Sequence, residues 1–174
     1  ATISLTPVED PSQFGIVETD EAGKVLRFVE KPKPGETNSR FASAGTYVME
    51  ESTLALMPGT EKLSIERVTF PQLVAQGSLY AMATNDYWID AGRPDTYVQA
   101  NCDVAAKLRS PEDAAVHAKA VISESAVVND SVVAAGVQVG ARASVLHSVL
   151  LEGSVIGDGA VIEGSIVMGQ VGDD

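Results

Sequence analysis

The sequence predicts an α/β region over residues 1–109, followed over residues 110–174 by a left-handed parallel β-helix of hexapeptide-type turns. The first part mixes short β-rich runs with segments that carry helix caps and helix stops. The second part instead repeats itself every 17 residues, and internal repeats of this kind are typical of stacked coils. The segment Ser110-Pro111-Glu112-Asp113 has the composition of a linker between the two.

The elements of the α/β region follow from its turn and cap residues. Asp20-Glu21-Ala22-Gly23 predicts a turn that joins strands 15–19 and 24–30 into a hairpin. Ser64 predicts the start of a helix, because a side-chain oxygen at an N-cap accepts a hydrogen bond from a free N–H. Pro71 is expected to kink or divide that helix. The other predicted elements are strands at 3–8, 44–49, 79–84 and 87–90 and helices at 50–57 and 94–107.

The 17-residue repeat predicts coils of three short strands in which one turn is one residue shorter than in an ideal coil of about 18 residues. Ser131, Ser148 and Ser165 mark the shortened turn in successive copies. Aliphatic residues in register are predicted to point inward, at Val116, Ile122, Val128, Val133, Val139, Val145, Leu150, Ile156, Ile162 and Val167. Small residues are predicted at the tight position four residues later, at Ala120, Ala126, Ala143, Ser154 and Ala160. Corners with positive φ are predicted at Gly136, Gly140, Gly153, Gly157 and Gly159.

A small antiparallel sandwich is the alternative architecture, but a register kept over three copies favours the β-helix. The register calls for another inward aliphatic residue at Asp173, so the C-terminus is expected to be truncated. The chain also opens in a β-rich run without an initiator Met, which predicts that further residues precede it.

Composition excludes several classes of function. The formal net charge of −12 repels phosphate backbones and anionic lipid surfaces, so binding of nucleic acid or of a membrane is not expected. Cys102 is the single cysteine and cannot form an internal disulfide, and the spacing of His and Cys suggests no zinc site. With no secretory signal and no apolar run of about 20 residues, we expect a cytoplasmic protein.

Four motifs of the α/β region could carry chemistry, although each has an ordinary structural interpretation. Glu30-Lys31-Pro32 closes a strand with an acid and a base, which is most often a solvated charge pair. Ser43-Ala44-Gly45 could let a ligand approach the backbone, although small residues before a strand usually serve packing. Ser64-Ile65-Glu66-Arg67 with Phe70-Pro71 fits a helix cap and an apolar anchor. Trp88-Ile89-Asp90-Ala91-Gly92 places a carboxylate where a divalent metal could bind.

Taken together and in this order, these motifs resemble the C-terminal half of the sugar-1-phosphate nucleotidylyltransferases, and most closely their mannose-1-phosphate guanylyltransferase group. The resemblance covers nearly the whole chain and implies an incomplete nucleotidyltransferase-type, Rossmann-like region before the β-helix. It implies that Glu30 holds sugar hydroxyls, that Lys31 binds the sugar phosphate and acts in catalysis, and that Gly45 contacts the sugar. It also implies that Asp90 is a catalytic ligand of Mg²⁺. Ser43 stands where the family has Asn, which bears on the choice of hexose.

The implied reaction is attack of a sugar 1-phosphate on a nucleoside triphosphate, with release of pyrophosphate. GTP and mannose 1-phosphate are the expected substrates, with thymidylyl, uridylyl or adenylyl transfer to glucose 1-phosphate as alternatives. The family's Gly-rich nucleotide loop has no counterpart in these residues, which predicts that the chain is inactive alone. Assembly into a homo-oligomer through the β-helix is also expected.

Two other classes of function remain open from the sequence. A hexapeptide acyltransferase or carbonic anhydrase would use histidines at coil interfaces, but only His117 and His147 are present and no third metal ligand is evident. A non-catalytic regulatory or oligomerising subunit of the same family is the stronger alternative.

Overall fold

The computed structural model describes residues 1–57, 59, 62–106 and 114–172. The chain forms two compact units, Ala1–Trp88 and Ile89–Asp174. The domain boundary predicted between residues 109 and 110, and the predicted linker, lie outside the described residues. No helix within the described ranges is long and apolar enough to cross a bilayer.

A five-stranded sheet forms the centre of the first unit. The strands are arranged in the order β3-β2-β4-β1-β5. Only β1 and β5 run parallel, and the other neighbouring pairs are antiparallel. The predicted hairpin is confirmed as the pair β2 and β3, and its turn is held by Asp20, whose Oδ1 accepts from Ala22 N and Lys24 N. The strand bounds are β1 Thr2–Pro7, β2 Gly15–Thr19, β3 Val25–Glu30, β4 Phe41–Val48 and β5 Tyr80–Ala83.

The helical segments of the first unit are short. Ser64 is confirmed as an N-cap, since its Oγ accepts from Arg67 N at 3.4 Å. A π-helical turn, Ile65–Thr69, follows and passes directly into the α-helix α1, Phe70–Ala75. Pro71 therefore lies at the division, as predicted, in the first turn of α1, where its missing N–H costs no helical hydrogen bond. The other helical segments are the 3₁₀ turns Pro11–Gln13 and Glu51–Leu56.

The strand predicted at 87–90 does not form. Trp88 instead donates from Nε1 to the carbonyl of Ala44 at 3.1 Å, and its ring meets Phe14 edge-on at 5.5 Å between centroids. The apolar residues of this segment therefore do not indicate a strand. Trp88 packs its indole ring against Phe14 instead.

An aromatic cluster lies at the centre of the first unit's core. Phe70 is completely buried, and its ring makes edge contacts with Phe28 and Tyr47 at centroid distances of 5.4 and 5.1 Å. The aliphatic residues buried around this cluster are Ile3, Leu5, Val17, Val25, Leu73 and Leu79. The cluster thus joins α1 to both β3 and β4.

The second unit begins with helix α2, Pro94–Ala105, and continues as a parallel β-solenoid. Its short strands stack into three parallel sheets, with orders β13-β10-β7, β14-β11-β8 and β15-β12-β9-β6. Partners in neighbouring coils are 17 residues apart, as Val128, Val145 and Ile162 show. The predicted period is therefore confirmed. The strands are β6 Val121–Ile122, β7 Val127–Asn129, β8 Val132–Val133, β9 Gln138–Val139, β10 Ser144–Leu146, β11 Val149–Leu150, β12 Val155–Ile156, β13 Val161–Glu163, β14 Ile166–Val167 and β15 Gln170–Val171.

The predicted inward residues form the core of the solenoid, with one exception. Val116 is 39% exposed, because it belongs to the first described coil and forms only an isolated bridge to Val133. Val137, which the sequence did not single out, is completely buried. Of the predicted corner glycines, Gly140 and Gly157 do not have positive φ. At Gly140 the backbone of the next coil lies too close for a side chain, since a Cβ there would be 2.8 Å from it.

The last described coil departs from the 17-residue period. Ile156 pairs with Val171, only 15 residues later, and Val171 packs against the solenoid core. Gly169, with φ of 107°, lies in the turn between β14 and β15, which is not the turn that carries the serines. The prediction of an inward position at Asp173 falls outside the described residues, and Val171 fills that position in the register.

A ladder of serines runs along the shortened turn. Each hydroxyl donates to the carbonyl two residues earlier and, where a further coil follows, accepts from the next serine's N–H. Ser148 is completely buried and does both, donating to Leu146 O at 2.7 Å and accepting from Ser165 N at 3.1 Å. Ser131 makes the same contacts one coil earlier, to Asn129 O and from Ser148 N. The ladder gives the N–H groups of Ser148 and Ser165 an acceptor in this tight turn.

Replacing Ser148 with alanine is therefore expected to cost about 1–3 kcal/mol, because it leaves the N–H of Ser165 without its acceptor, whereas Leu146 O still accepts from Gly164 N. Ser165→Ala is the matched control, since Ser165 is more exposed and its Oγ bonds, within the described part of the chain, only to Glu163 O. Denaturant unfolding followed by far-UV circular dichroism measures both, and hydrogen exchange at Ser165 N–H should accelerate in Ser148→Ala alone. Equal losses in the two variants would contradict this role of the ladder.

Candidate functional site

The carboxylate of Glu30 lies at the end of β3 and has an unused acceptor. Its Oε2 is buried and has no hydrogen-bond partner among the described residues. Gly15 is its partner on β2 and gives it room, because a Cβ at Gly15 would lie 3.0 Å from Oε2 and 2.5 Å from Cζ of Phe28. A buried oxygen without a partner carries a desolvation cost that a bound hydroxyl could remove.

A second unused polar atom lies on β4. Ser43 Oγ is buried, and no described atom gives it a hydrogen bond of normal geometry. Gly45, two residues along the same strand, has φ of 75° and open space where a Cβ would stand. The predicted substrate segment therefore combines an unpaired hydroxyl with exposed backbone at which a ligand could approach closely.

Two side chains that the sequence interpretation did not assign to the site stand beside Glu30. The hydroxyl of Tyr47 donates to Oε1 of Glu66 at 3.3 Å. Burial, followed by the negative charge of Glu30, raises the pKa of Glu66 above its ordinary value of 4.5. Burial also raises the pKa of Tyr47, against the opposing influence of the nearby Ser43 hydroxyl. Glu30, Ser43, Tyr47 and Glu66 thus form one polar cluster, which we call the carboxylate cluster.

The raised pKa of Glu66 predicts a pH dependence of stability. Between 4.5 and its higher folded-state value, Glu66 holds more protons in the folded than in the unfolded chain, so its contribution to stability falls as pH rises. The variant Glu66→Gln, which cannot ionise, should therefore gain stability relative to the parent chain as pH rises from 4.5 to 7. Denaturant unfolding of both proteins across this range measures the difference. A difference that is constant with pH would contradict the expectation.

Lys31 follows Glu30 directly and is exposed. Its N–H donates to the carbonyl of Phe14 at 3.0 Å, and its backbone has φ of 50°, a left-handed conformation that costs energy in a residue other than glycine. The buried Pro32 comes next and limits the backbone on the other side. The chain therefore holds Lys31 in a strained turn with its side chain toward solvent, where it is available to an anion.

Asp90 belongs to the second unit and is exposed. Its Oδ1 accepts from Gly92 N at 2.9 Å, which fixes the carboxylate across a tight turn. Its predicted role as a catalytic ligand of Mg²⁺ stays a prediction. An exposed carboxylate held in this way fits Mg²⁺, which proteins commonly bind through one or two carboxylates together with substrate phosphates and water.

The two histidines have separate surroundings. Nδ1 of His117 accepts from Lys119 N at 3.1 Å, and Nδ1 of His147 lies 2.9 Å from Oδ2 of Asp130. Each imidazole thus has its own hydrogen-bond partner on the surface of the second unit.

Comparisons with known proteins cover both units. The family described as nucleotidyl transferase matches residues 1–107, and the family described as GlmU-like, C-terminal hexapeptide matches residues 98–172. The second match fits the left-handed form predicted for the solenoid. Together with the observed sheet and solenoid, the two matches establish the predicted fold class.

Relatives extend over nearly the whole chain. The mannose-1-phosphate guanylyltransferase of Mycobacterium tuberculosis (strain ATCC 25618 / H37Rv) is 32% identical, over 96% of this chain and 47% of its own length. The probable mannose-1-phosphate guanylyltransferase 1 of Oryza sativa subsp. japonica is 32% identical, over 98% and 55%. The mannose-1-phosphate guanyltransferase of Yarrowia lipolytica (strain CLIB 122 / E 150) is 41% identical, over 59% and 28%. The chain thus spans about half the length of the first two.

Proposed function

Because this chain belongs to the nucleotidyl transferase family, we propose that the protein joins GTP and mannose 1-phosphate to give GDP-mannose and pyrophosphate. The named relatives support this choice of substrates. The observation that carries the proposal is a pair of buried oxygens, Glu30 Oε2 and Ser43 Oγ, that have no hydrogen-bond partner among the described residues. A sugar offers several hydroxyl groups, which can donate to the first and exchange hydrogen bonds with the second.

The proposed roles divide between sugar and phosphate. Glu30 accepts hydrogen bonds from sugar hydroxyls, and Ser43 takes the place of the family's Asn with a single hydroxyl. Gly45 lets the sugar lie against the backbone. Lys31 places a positive charge on the sugar phosphate, where an ammonium acts as a point charge. Asp90 holds Mg²⁺, which when bound supplies positive charge to the phosphates.

The reaction needs little covalent chemistry from the protein. An oxygen of the sugar phosphate forms a bond to the α-phosphorus of GTP, while the bond from that phosphorus to the bridging α–β oxygen breaks and pyrophosphate leaves. Most of the rate enhancement comes from positioning and charge stabilisation. The carboxylate cluster would orient the sugar, and Lys31 would orient the attacking phosphate.

The test compares two proteins, the complete translated reading frame that contains this chain and the 174-residue chain alone. With a panel of nucleoside triphosphates and sugar 1-phosphates, the first is expected to favour GTP and mannose 1-phosphate. The second is expected to form no GDP-mannose, because its sequence contains no Gly-rich triphosphate loop. GDP-mannose formed by the short chain would overturn the second expectation. Binding of mannose 1-phosphate without any product from the complete protein would instead support a regulatory subunit.

Two further proposals concern assembly and location. Aliphatic side chains exposed on the solenoid, including Val121 at 66% and Val161 at 67%, favour a homo-oligomer formed through this unit. Light scattering of the purified protein tests this assembly, and a monomer at every concentration would contradict it. A cytoplasmic location fits the free thiol of Cys102.

A further inference from the structure

Three potential metal ligands meet in the second unit, far from one another in sequence. Cys102 comes from α2, Asp130 from the corner after β7, and His147 from the corner after β10. One ligand atom from each, the thiol sulfur, a carboxylate oxygen and an imidazole nitrogen, lies within 4.8 Å of the other two. Conventional sequence spacings for zinc do not reveal such a group, because α2 and two coils each provide one member.

The solenoid register brings two of these residues together. Asp130 and His147 are 17 residues apart and therefore occupy the same corner of neighbouring coils. Both have left-handed backbone, with φ of 45° and 44°, and Gly164 has φ of 55° at the equivalent corner of the next coil. Oδ2 of Asp130 already lies 2.9 Å from Nδ1 of His147, which is within the spacing of two ligands on one ion.

Helix α2 supplies the third ligand. Cys102 is buried with Val98 and Val149, and its thiol donates to the carbonyl of Asp130 at 3.0 Å. Packing therefore fixes the sulfur beside the corner. Asp130 and His147 are partly exposed, with side-chain accessibilities of 57% and 40%.

The electrostatic surroundings favour a cation. The carboxylates of Asp130 and Asp103 place negative charge near the Cys102 sulfur. A divalent cation would offset that charge and take the place of the thiol proton.

We propose that Cys102, Asp130 and His147 bind one divalent transition-metal ion of the zinc class through sulfur, oxygen and nitrogen, with water as the fourth ligand. This donor set suits zinc, whose usual ligands are Cys, His and carboxylates in tetrahedral geometry. The ion would join α2 to two successive coils and would thus stabilise the second unit. The site is independent of the proposed sugar chemistry, because its three residues have no role there.

Titration of the 174-residue chain with Co²⁺ and Zn²⁺ tests the proposal. We expect one Co²⁺ per chain, an ultraviolet absorption band from thiolate bonded to cobalt and the intense visible bands of tetrahedral cobalt, with Zn²⁺ displacing both. A cobalt complex without the thiolate band, or no stoichiometric binding, would overturn the proposal. The spectrum of the unaltered protein decides this point, even if a variant fails to fold.

The variants Cys102→Ser, Asp130→Asn and His147→Asn remove one ligand each, and asparagine tolerates the left-handed corner better than most residues. Each is expected to weaken Zn²⁺ binding by at least about 10- to 100-fold. Removal of an outer-shell partner causes a loss of this size, and these three residues are direct ligands. His117→Asn is the control and should bind as the parent chain does. Equal weakening in all four variants, or none in Cys102→Ser, would contradict the assignment.

Discussion

Replacing Phe70 with alanine is expected to destabilise the first unit by about 3–5 kcal/mol, the range for removing a large aromatic side chain from a core. The ring is completely buried and makes edge contacts with Phe28 and Tyr47. Its loss opens a cavity between α1 and the sheet that these two rings can fill only in part. Trp88 is the only tryptophan and belongs to the first unit, so its fluorescence during denaturant unfolding measures the change.

The control for this variant is Val68→Ala in the neighbouring π-helical turn, where the side chain is 39% exposed. It should cost less than about 1 kcal/mol, because little apolar area leaves the core. Phe70→Ala should also loosen Tyr47 and with it the hydrogen bond to Glu66. Because that bond lowers the pKa of Glu66, its loss should strengthen the pH dependence assigned to Glu66. A cost below that of Val68→Ala would show that Phe70 does not hold the core together.

Replacing Glu30 with glutamine is expected to weaken binding of mannose 1-phosphate by the complete protein about 10- to 100-fold. Hydrogen bonds to a charged acceptor contribute about 1.5–3 kcal/mol, and about 1.4 kcal/mol corresponds to a factor of ten. The stability of the unliganded protein should stay the same or increase, because the neutral amide removes repulsion between Glu30 and Glu66. Titration calorimetry measures the first effect and denaturant unfolding the second.

This opposite response of affinity and stability separates a binding role from a structural one. Glu21→Gln, an exposed change in the turn of the β2–β3 hairpin, is the matched control and should alter neither quantity. If Glu30→Gln destabilises the protein and leaves affinity unchanged, then Glu30 belongs to the core and the carboxylate cluster is not the sugar site.

The regular part of the solenoid could be predicted from the sequence, because identical packing in each coil requires the same residue types at a fixed interval. Val128, Val145 and Ile162 show this directly. The ends were less predictable, since neither Val116 nor Val171 has the surroundings of the central coils. The prediction of a positive φ at Gly140 was wrong. The sequence identifies a glycine but does not show whether its backbone has a positive φ or whether a neighbouring coil lies too close for a side chain.

The candidate site was only partly predictable for a similar reason. Glu30 and Lys31 stand out because an acid and a base before proline end a strand. Glu66 lies in one of the four motifs, but neither it nor Tyr47 was assigned to the site, because their contact depends on how the π-helical turn packs beside β4. The Cys102, Asp130 and His147 group needs both the solenoid register and the placement of α2, and neither local composition nor conventional metal spacing contains that information.

The 17-residue interval between paired coils, kept until the last described coil, also bears on how the second unit folds. Each new coil closes a loop of about 17 residues, so the entropy cost of closure is nearly the same at every step. The first two coils must meet without support from a third, and each later coil adds to a surface already in place. Folding is therefore expected to nucleate once and then propagate from coil to neighbouring coil, with the rate set by the first pairing and not by the number of coils.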